Sequence, residues 1–165
     1  MTKGAEAKRA LPQGPAGEPA VTVARTDDLD AVRALGVASG LDGSERDDRG
    51  LVAAWAARAA DGAMVGAIVL ERSGGLDVVN WMAVAEAFRR RGVATRLLDA
   101  LEREARAREV RRLWATARRP GFFAANGFRL VGAGPEADHL LGDCPSCRHY
   151  GHDCSPQAMV KDMDR

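Results

Sequence analysis

The chain has 165 residues with a formal net charge of +1, enough for one domain with a sizeable core and too balanced to argue for nucleic acid or an acidic membrane surface. Hydrophobic residues make up 46% and charged residues 28%, a soluble globular composition that excludes a low-complexity or wholly disordered chain. No apolar run reaches the length of a membrane span, and the N-terminus shows no apolar stretch of the kind a secretory signal needs. The three cysteines, all between positions 144 and 154, do not form a secreted disulfide framework, so a reducing cytoplasmic setting is expected.

Residues 1–19 are rich in Ala, Gly, Lys and Pro without apolar period, and a disordered tail is expected there. The remainder, residues 20–165, is expected to form a single domain. Val21-Thr22-Val23-Ala24 alternates as a short strand. Thr26-Asp27-Asp28 offers caps for a helix carrying Leu29, Val32 and Leu35. Residues 40–50 are polar and loop-like. The segment from Leu51 to Ala57 is alanine-rich, which favours helix. Asp61-Gly62 and the strand-like run from Ala63 to Leu70 favour a hairpin instead, and a strand is the reading adopted. Ser73-Gly74-Gly75 makes the next turn, and residues 76–84 form a further strand. Alternation puts Leu76, Val78, Asn80, Met82 and Val84 on one face, with Asp77, Val79, Trp81 and Ala83 on the other.

The stretch 88–106 carries the chemistry. Phe88-Arg89-Arg90-Arg91-Gly92-Val93-Ala94-Thr95 leads into a helix whose stripe is Ala94, Leu97, Leu98, Leu101 and Ala105. Asp99–Arg103, Glu102–Arg106 and Glu104–Arg108 are acid-before-base pairs placed on its wet face. Three arginines and a glycine thus sit where a strand turns into a helix. The first amides of a helix lack internal partners, the dipole adds positive charge, and Gly92 and Ala94 allow close approach. Arginine forks add charge-assisted donors. The loop by itself serves two readings equally: a pyrophosphate cradle, or a basic turn capping an ordinary helix. It is neither a GxGxxG fingerprint nor a P-loop.

Residues 110–117 return as a strand parallel to 76–84, a right-handed crossover. Pro120 starts a short helix that Asn126-Gly127 ends, and Arg129-Leu130-Val131 is a strand. Residues 132–157 read as irregular, and Ala158 to Met163 as a final edge strand.

Arg89-Arg90-Arg91-Gly92-Val93-Ala94 resembles the [Q/R]-x-x-G-x-[G/A] loop of the GCN5-related N-acetyltransferases, the GNAT superfamily. Trp81-Met82-Ala83-Val84 resembles the strand those enzymes place before the loop, and Pro120-Gly121-Phe122-Phe123-Ala124-Ala125-Asn126-Gly127-Phe128 resembles their later "FYEKLGF" segment. The resemblance covers roughly residues 21–133. It implies an α/β (α+β) fold with a mixed, mostly antiparallel central sheet, splayed parallel central strands and flanking helices. It implies acetyl-CoA as co-substrate and a small-molecule amine as acceptor, with no nucleic acid and no membrane partner, and it leaves room for a homodimer. Carried over residue by residue, it points to Met82, Ala83, Val84, Arg89, Arg90, Arg91, Gly92, Val93, Ala94, Thr95 and Phe122 as coenzyme contacts. In the family, Ser39, Asp42, Ser44, Glu45 and Arg46 would border the acceptor. A solvated connector is the plainer reading for each of them.

Direct acyl transfer needs a neutral amine, a donor to the developing oxyanion and a proton for the leaving thiolate. None of the cysteines is needed as nucleophile. The family's frequent tyrosine is Phe123 here, and the chain's one tyrosine, Tyr150, lies far along the chain. Asp77, Asn80 and Glu86 lie near the strand, but a surface or structural role is the plainer reading for each, a water chain to bulk serves equally well, and no catalytic acid or base is assigned. The alternative is a CoA-binding sensor or interaction module with a decayed transferase site.

Cys144, Cys147 and Cys154, with His149 or His152, have the spacing of a structural zinc site, although a second CxxC is missing. Reduced cysteines packing a turn, or one adventitious disulfide, are the plainer readings. The ending, with Ala158-Met159-Val160, is similar to that of short stand-alone N-acetylglutamate synthases of the GNAT class. Glutamate is therefore a candidate acceptor. Ala124-Ala125-Asn126 in place of Glu-Lys-Leu, and the want of a clear Arg-Ser pair in 40–50, depart from that pattern.

Overall fold

The computed structural model describes residues 20–41 and 50–164. The expected tail and the acceptor-loop candidates Asp42, Ser44, Glu45 and Arg46 lie outside them. Strand β1 (Val21–Arg25) leads to helix α1 (Leu29–Ala38). Asp28 caps that helix, its side chain accepting the Ala31 N–H at 3.1 Å. Strands β2 (Leu51–Ala59), β3 (Met64–Ser73) and β4 (Leu76–Val84) follow as a meander. The first turn uses Gly62 at φ 87°. Helix α2 (Val93–Ala107) crosses to β5 (Arg112–Ala117), and then come α3 (Pro120–Ala125), β6 (Arg129–Leu130), α4 (Pro135–Leu141) and β7 (Gln157–Asp162).

These strands form one sheet in the order β1-β2-β3-β4-β5-β7-β6. β4 and β5 run parallel, and the other neighbours are antiparallel. The sheet is buried on both faces. Leu97, Leu98 and Leu101 of α2 pack with Ala53, Ile68, Val79, Leu113 and Phe123 on one side. α1 covers Ala54, Ala67, Val69 and Trp81 on the other, with Leu140 of α4 over Val78, Trp114 and Val160 beside it. Two-sided burial explains why β2 reads as a continuous run of small apolar residues rather than an alternation. It also explains why tertiary context overrides the helix preference of those alanines. Each leucine buried on α2 contributes about 1.5–3 kcal/mol. No helix among the described residues is long and apolar enough to cross a membrane.

Four expectations need correction. β7 is an interior strand held between β5 and β6, and β6 is the edge. Residues 132–157 are not irregular throughout: Pro135 at the first turn starts α4, and a 3-10 turn spans Cys144–Ser146. Glu102 does not lie on the wet face of α2. It is buried at 5% exposure and bound by Lys161 of β7 at 2.6 Å, with Arg106 at 3.2 Å. The fourth concerns β4. The register Ala67↔Ala83 and Val69↔Asn80 leaves Ile68 opposite two residues, a β-bulge. Trp81 sits there at φ 51° and packs under α1, while Met82 and Val84 join Val79 on the α2 side. One inserted residue flips the face, so plain alternation holds only up to Asn80.

Candidate active site at the splay of β4 and β5

The parallel pairing of β4 and β5 runs from Asp77↔Leu113 to Val79↔Ala115 and stops. After the bulge, β4 stays paired with β3 through Ala67↔Ala83 and Gly66↔Val84, while Thr116 and Ala117 of β5 pair with β7. A wedge therefore opens between β4 residues 80–84 and the end of β5. The Ala85 N–H donates to Val65 of β3 at 2.8 Å. By the alternation of a ladder, the polar groups of Met82 and Val84 turn the opposite way, into the wedge. The Arg89 Nε donates to the Val84 carbonyl at 2.9 Å. Such an edge can hydrogen-bond an extended amide-bearing chain as a further strand would.

The basic loop closes the mouth of the wedge. A 3-10 turn over Glu86–Phe88 precedes Arg89, Arg90 takes φ 60°, and Gly92 takes φ 75° as the N-cap of α2. Gly92 supplies the left-handed conformation that other residues adopt only under strain. No side chain caps the helix, and its first turn carries no acid. The first ladder bond runs from the Arg96 N–H to the Gly92 carbonyl at 3.1 Å, leaving the amides of residues 93–95 without helical partners. A Cβ built on Gly92 meets nothing within 4 Å, so the space above the loop is open. Arg90, Arg91 and Thr95 are exposed and Ala94 is half-buried. Orphan amides, a helix dipole and two exposed guanidiniums can hold an anion here.

The remaining expected contacts take different parts. Val93 is buried in the core, so only its amide faces outward use. Arg89 lies back along β4. Phe122 is half-buried on the α2 side, edge-on to Phe123 at 5.3 Å. Phe123 packs edge-on to Phe128 at 5.1 Å, a core ring in the place of the family's phenol. The turn after it is a Schellman motif. Phe128 N–H donates to the Phe123 carbonyl and Gly127 N–H to that of Ala124, at 3.0 and 3.1 Å.

On the α1 side, Arg118 follows β5 and donates to the Gly40 carbonyl at 2.8 Å, with Asp153 at 3.7 Å. Asp153 in turn contacts His149 Nδ1 at 2.9 Å. Asn80 binds Glu71 at 2.8 Å, Asp77 pairs with Arg72 at 3.3 Å, and Glu86 is exposed. Sequence reading missed Arg118, whereas the surface or structural role expected of Asn80 agrees with its bonds to Glu71 and to the Trp81 N–H.

The cysteine segment is held by backbone bonds, Cys147 N–H to the Cys144 carbonyl at 3.0 Å and Cys154 N–H to that of His149 at 3.1 Å. All three thiols are free and half-buried. Among the described residues no three His, Cys, Asp or Glu side chains are grouped to hold a metal, so the expected zinc site gains no support. Burial, and then the neighbouring Cys154 and Cys147, push the Cys144 thiol up.

Residues 50–130 match the family model of the acetyltransferase (GNAT) domain. No curated protein matches the chain by sequence. Among solved structures, a GNAT-family acetyltransferase from Staphylococcus aureus Mu50 superposes with a TM-score of 0.65 at 15% identity, over 88% of this chain and 100% of that one. N-acetylglutamate synthase from Neisseria gonorrhoeae, solved with coenzyme A and N-acetyl-glutamate, gives 0.66 at 20% identity, over 90% of this chain and 36% of that one. Rv2747 from Mycobacterium tuberculosis, solved in complex with CoA, gives 0.63 at 20% identity, over 88% and 100%. A bulged β4 splayed from a parallel β5, a glycine-capped basic loop and the match over residues 50–130 agree: the chain carries an acetyltransferase domain of the GNAT type.

Proposed function

We propose that the protein transfers the acetyl group of acetyl-CoA directly to the amine of a small molecule, with an amino acid such as glutamate as the first acceptor to test. The observation that carries this reading is the end of β4 at residues 82–84, parted from β5 and running straight into the orphan amides of the 89–95 loop. The amides of residues 93–95, with Arg90 and Arg91, would take the pyrophosphate. Met82, Ala83 and Val84 would lie along the pantetheine arm. For that arm to reach the Val84 carbonyl, Arg89 would give up its bond there and turn outward.

In the transfer itself, the acceptor nitrogen attacks the thioester carbonyl, the C–N bond forms and the C–S bond breaks. A β4 amide turned into the wedge would donate to the oxygen as charge develops on it. The amine proton leaves to solvent, and the thiolate is protonated by water, since Phe123 carries no proton to give. A thiolate is basic only to about pH 8–9, so it leaves without strong acid help. The glutamate reading draws on the likeness to the Neisseria synthase, whose structure holds N-acetyl-glutamate, and on the chain's similar ending.

Calorimetry with acetyl-CoA tests the reading, repeated with Arg91→Glu and Gly92→Asp. Binding by the wild type that both changes abolish supports it and leads to an acceptor screen that reads released CoA. No binding by folded wild-type protein overturns it. Binding without turnover on a broad amine panel would leave a CoA sensor in its place.

A further inference from the structure

Trp81 is a bulky residue held at φ 51°, a backbone region where a β-strand side chain is strained. Strain of this kind persists only where the surroundings over-determine it. They do so here from three sides. Asn80 Oδ1 accepts the Trp81 backbone N–H at 2.8 Å, and Asn80 Nδ2 donates to Glu71 Oε2 on β3 at 2.8 Å. A side chain thus replaces the ladder bond that the bulge removes. On α1, the Val32 carbonyl accepts the indole Nε1–H at 3.0 Å in a buried setting. That carbonyl also faces the helical amide of residue 36, so the indole takes its second lone pair. The third side is Gly36 itself. A Cβ there would lie 2.5 Å from Nε1, 2.6 Å from Cε2 and 2.8 Å from Cζ2 of Trp81. Glycine is unfavourable inside a helix, and the docked indole is the reason it stands at this position.

We infer that Trp81 is a positioning residue for acyl transfer and that Gly36 is its socket. The indole, fixed to α1, holds the bulge. The bulge turns the Met82 and Val84 amides into the wedge, where the thioester would lie. The helix over the acceptor-side face and the strand under the acyl group therefore share one rigid contact. The 89–95 loop carries the charged part of coenzyme binding, and residues 82–84 meet only the pantetheine arm, so the lock acts more on turnover than on coenzyme affinity.

The kinetic arm of the test rests on the transfer reading, and the exchange arm does not. Gly36→Ala, Trp81→Phe and the double variant are compared with wild type. Gly36→Ala lowers kcat roughly tenfold to a hundredfold, as a small misplacement of a polarising group does, while the Kd for CoA shifts by a smaller factor than kcat. Phe lacks the Nε1 edge that meets position 36, so Gly36→Ala has no further effect in the Trp81→Phe background. An unaltered kcat per CoA-binding site, or effects that simply multiply, overturns the inference. A merely structural contact would lower the melting temperature and leave kcat per site alone. Where Gly36→Ala fails to fold, Trp81→Phe carries the kinetic test, because it removes one hydrogen bond and keeps the slot. Hydrogen exchange of the 81–84 amides and the indole N–H needs no acceptor. Faster exchange in Gly36→Ala supports the lock, and unchanged exchange overturns it even if the wild type proves inactive on every amine.

Discussion

Lys161→Met removes the ammonium from the buried contact between α2 and β7. Lys161 Nζ lies 2.6 Å from Glu102 Oε1, and the two side chains are 21% and 6% exposed. Deleting one partner of a buried pair costs about 3–5 kcal/mol, most of it the penalty of leaving the other charge unpaired. Arg106 still reaches Glu102 at 3.2 Å from a half-exposed position, so the low end applies, about 3 kcal/mol. For a domain of this size that lowers the melting temperature by about 6–12 °C. Replacing Glu102 as well, in a Lys161→Met/Glu102→Leu double variant, restores most of the loss, because no buried charge remains. Urea melts of wild type, Lys161→Met, Glu102→Leu and the double variant measure both the single effects and the coupling. A single variant within about 1 kcal/mol of wild type, or a double variant no better than the single, would refute the reasoning.

Three further outcomes are expected. Gly92→Ala adds a methyl into open space and strains a left-handed residue by about 1–2 kcal/mol, so stability falls little. Loss of even one charge-assisted bond to phosphate, about 1.5–3 kcal/mol, weakens acetyl-CoA binding roughly 10- to 100-fold by calorimetry, and an unchanged Kd would count against the cradle. The hydrogen bond from Arg112 outweighs burial, with Arg129 helping, and holds the Asp162 carboxyl below the ordinary aspartate range. Its contribution is therefore present above about pH 4 and lost as pH falls through the lowered folded value. Asp162→Asn should flatten the acid limb of a stability-against-pH series, and an equally steep limb would contradict this. Burial and the neighbouring Cys154 and Cys147 hold the Cys144 thiol above its ordinary value, which favours the unreactive protonated form. Its alkylation by iodoacetamide, followed by mass spectrometry, should lag that of an unstructured cysteine peptide, and an equal rate would show the burial to be irrelevant.

What could be read from the chain was local. The stripe of α2 from Leu97 through Leu101 to Ala105, the glycine at its start and the cap, which falls to Asp28 among the three candidates, are set by neighbours within a turn. The basic loop and the strand before it came together because they are adjacent in sequence. The errors share a different physical origin. The bulge at Trp81 is fixed by Gly36 and Val32, some fifty positions away, and nothing in the alternation of 76–84 announces it. Glu102 matched an exposed pairing pattern with Arg106 until β7, 59 residues later, brought Lys161 against it. The interior place of β7 likewise depends on strand order, which periodicity does not encode. α4 was different: Pro135, Glu136 and Asp138 supplied ordinary start signals that the surrounding glycines masked.

The wedge carries a thermodynamic consequence. Strands that have already met at Val79↔Ala115 part company, and the pairing they decline is worth about 0.5–1.5 kcal/mol net per hydrogen bond. A chain one residue shorter at the bulge would regain its alternation, let β4 follow β5 to the end and gain a more stable sheet. It would also close the wedge proposed here for the thioester. Stability and activity thus pull this strand in opposite directions, and substitutions selected only for heat resistance should accumulate where they heal the sheet.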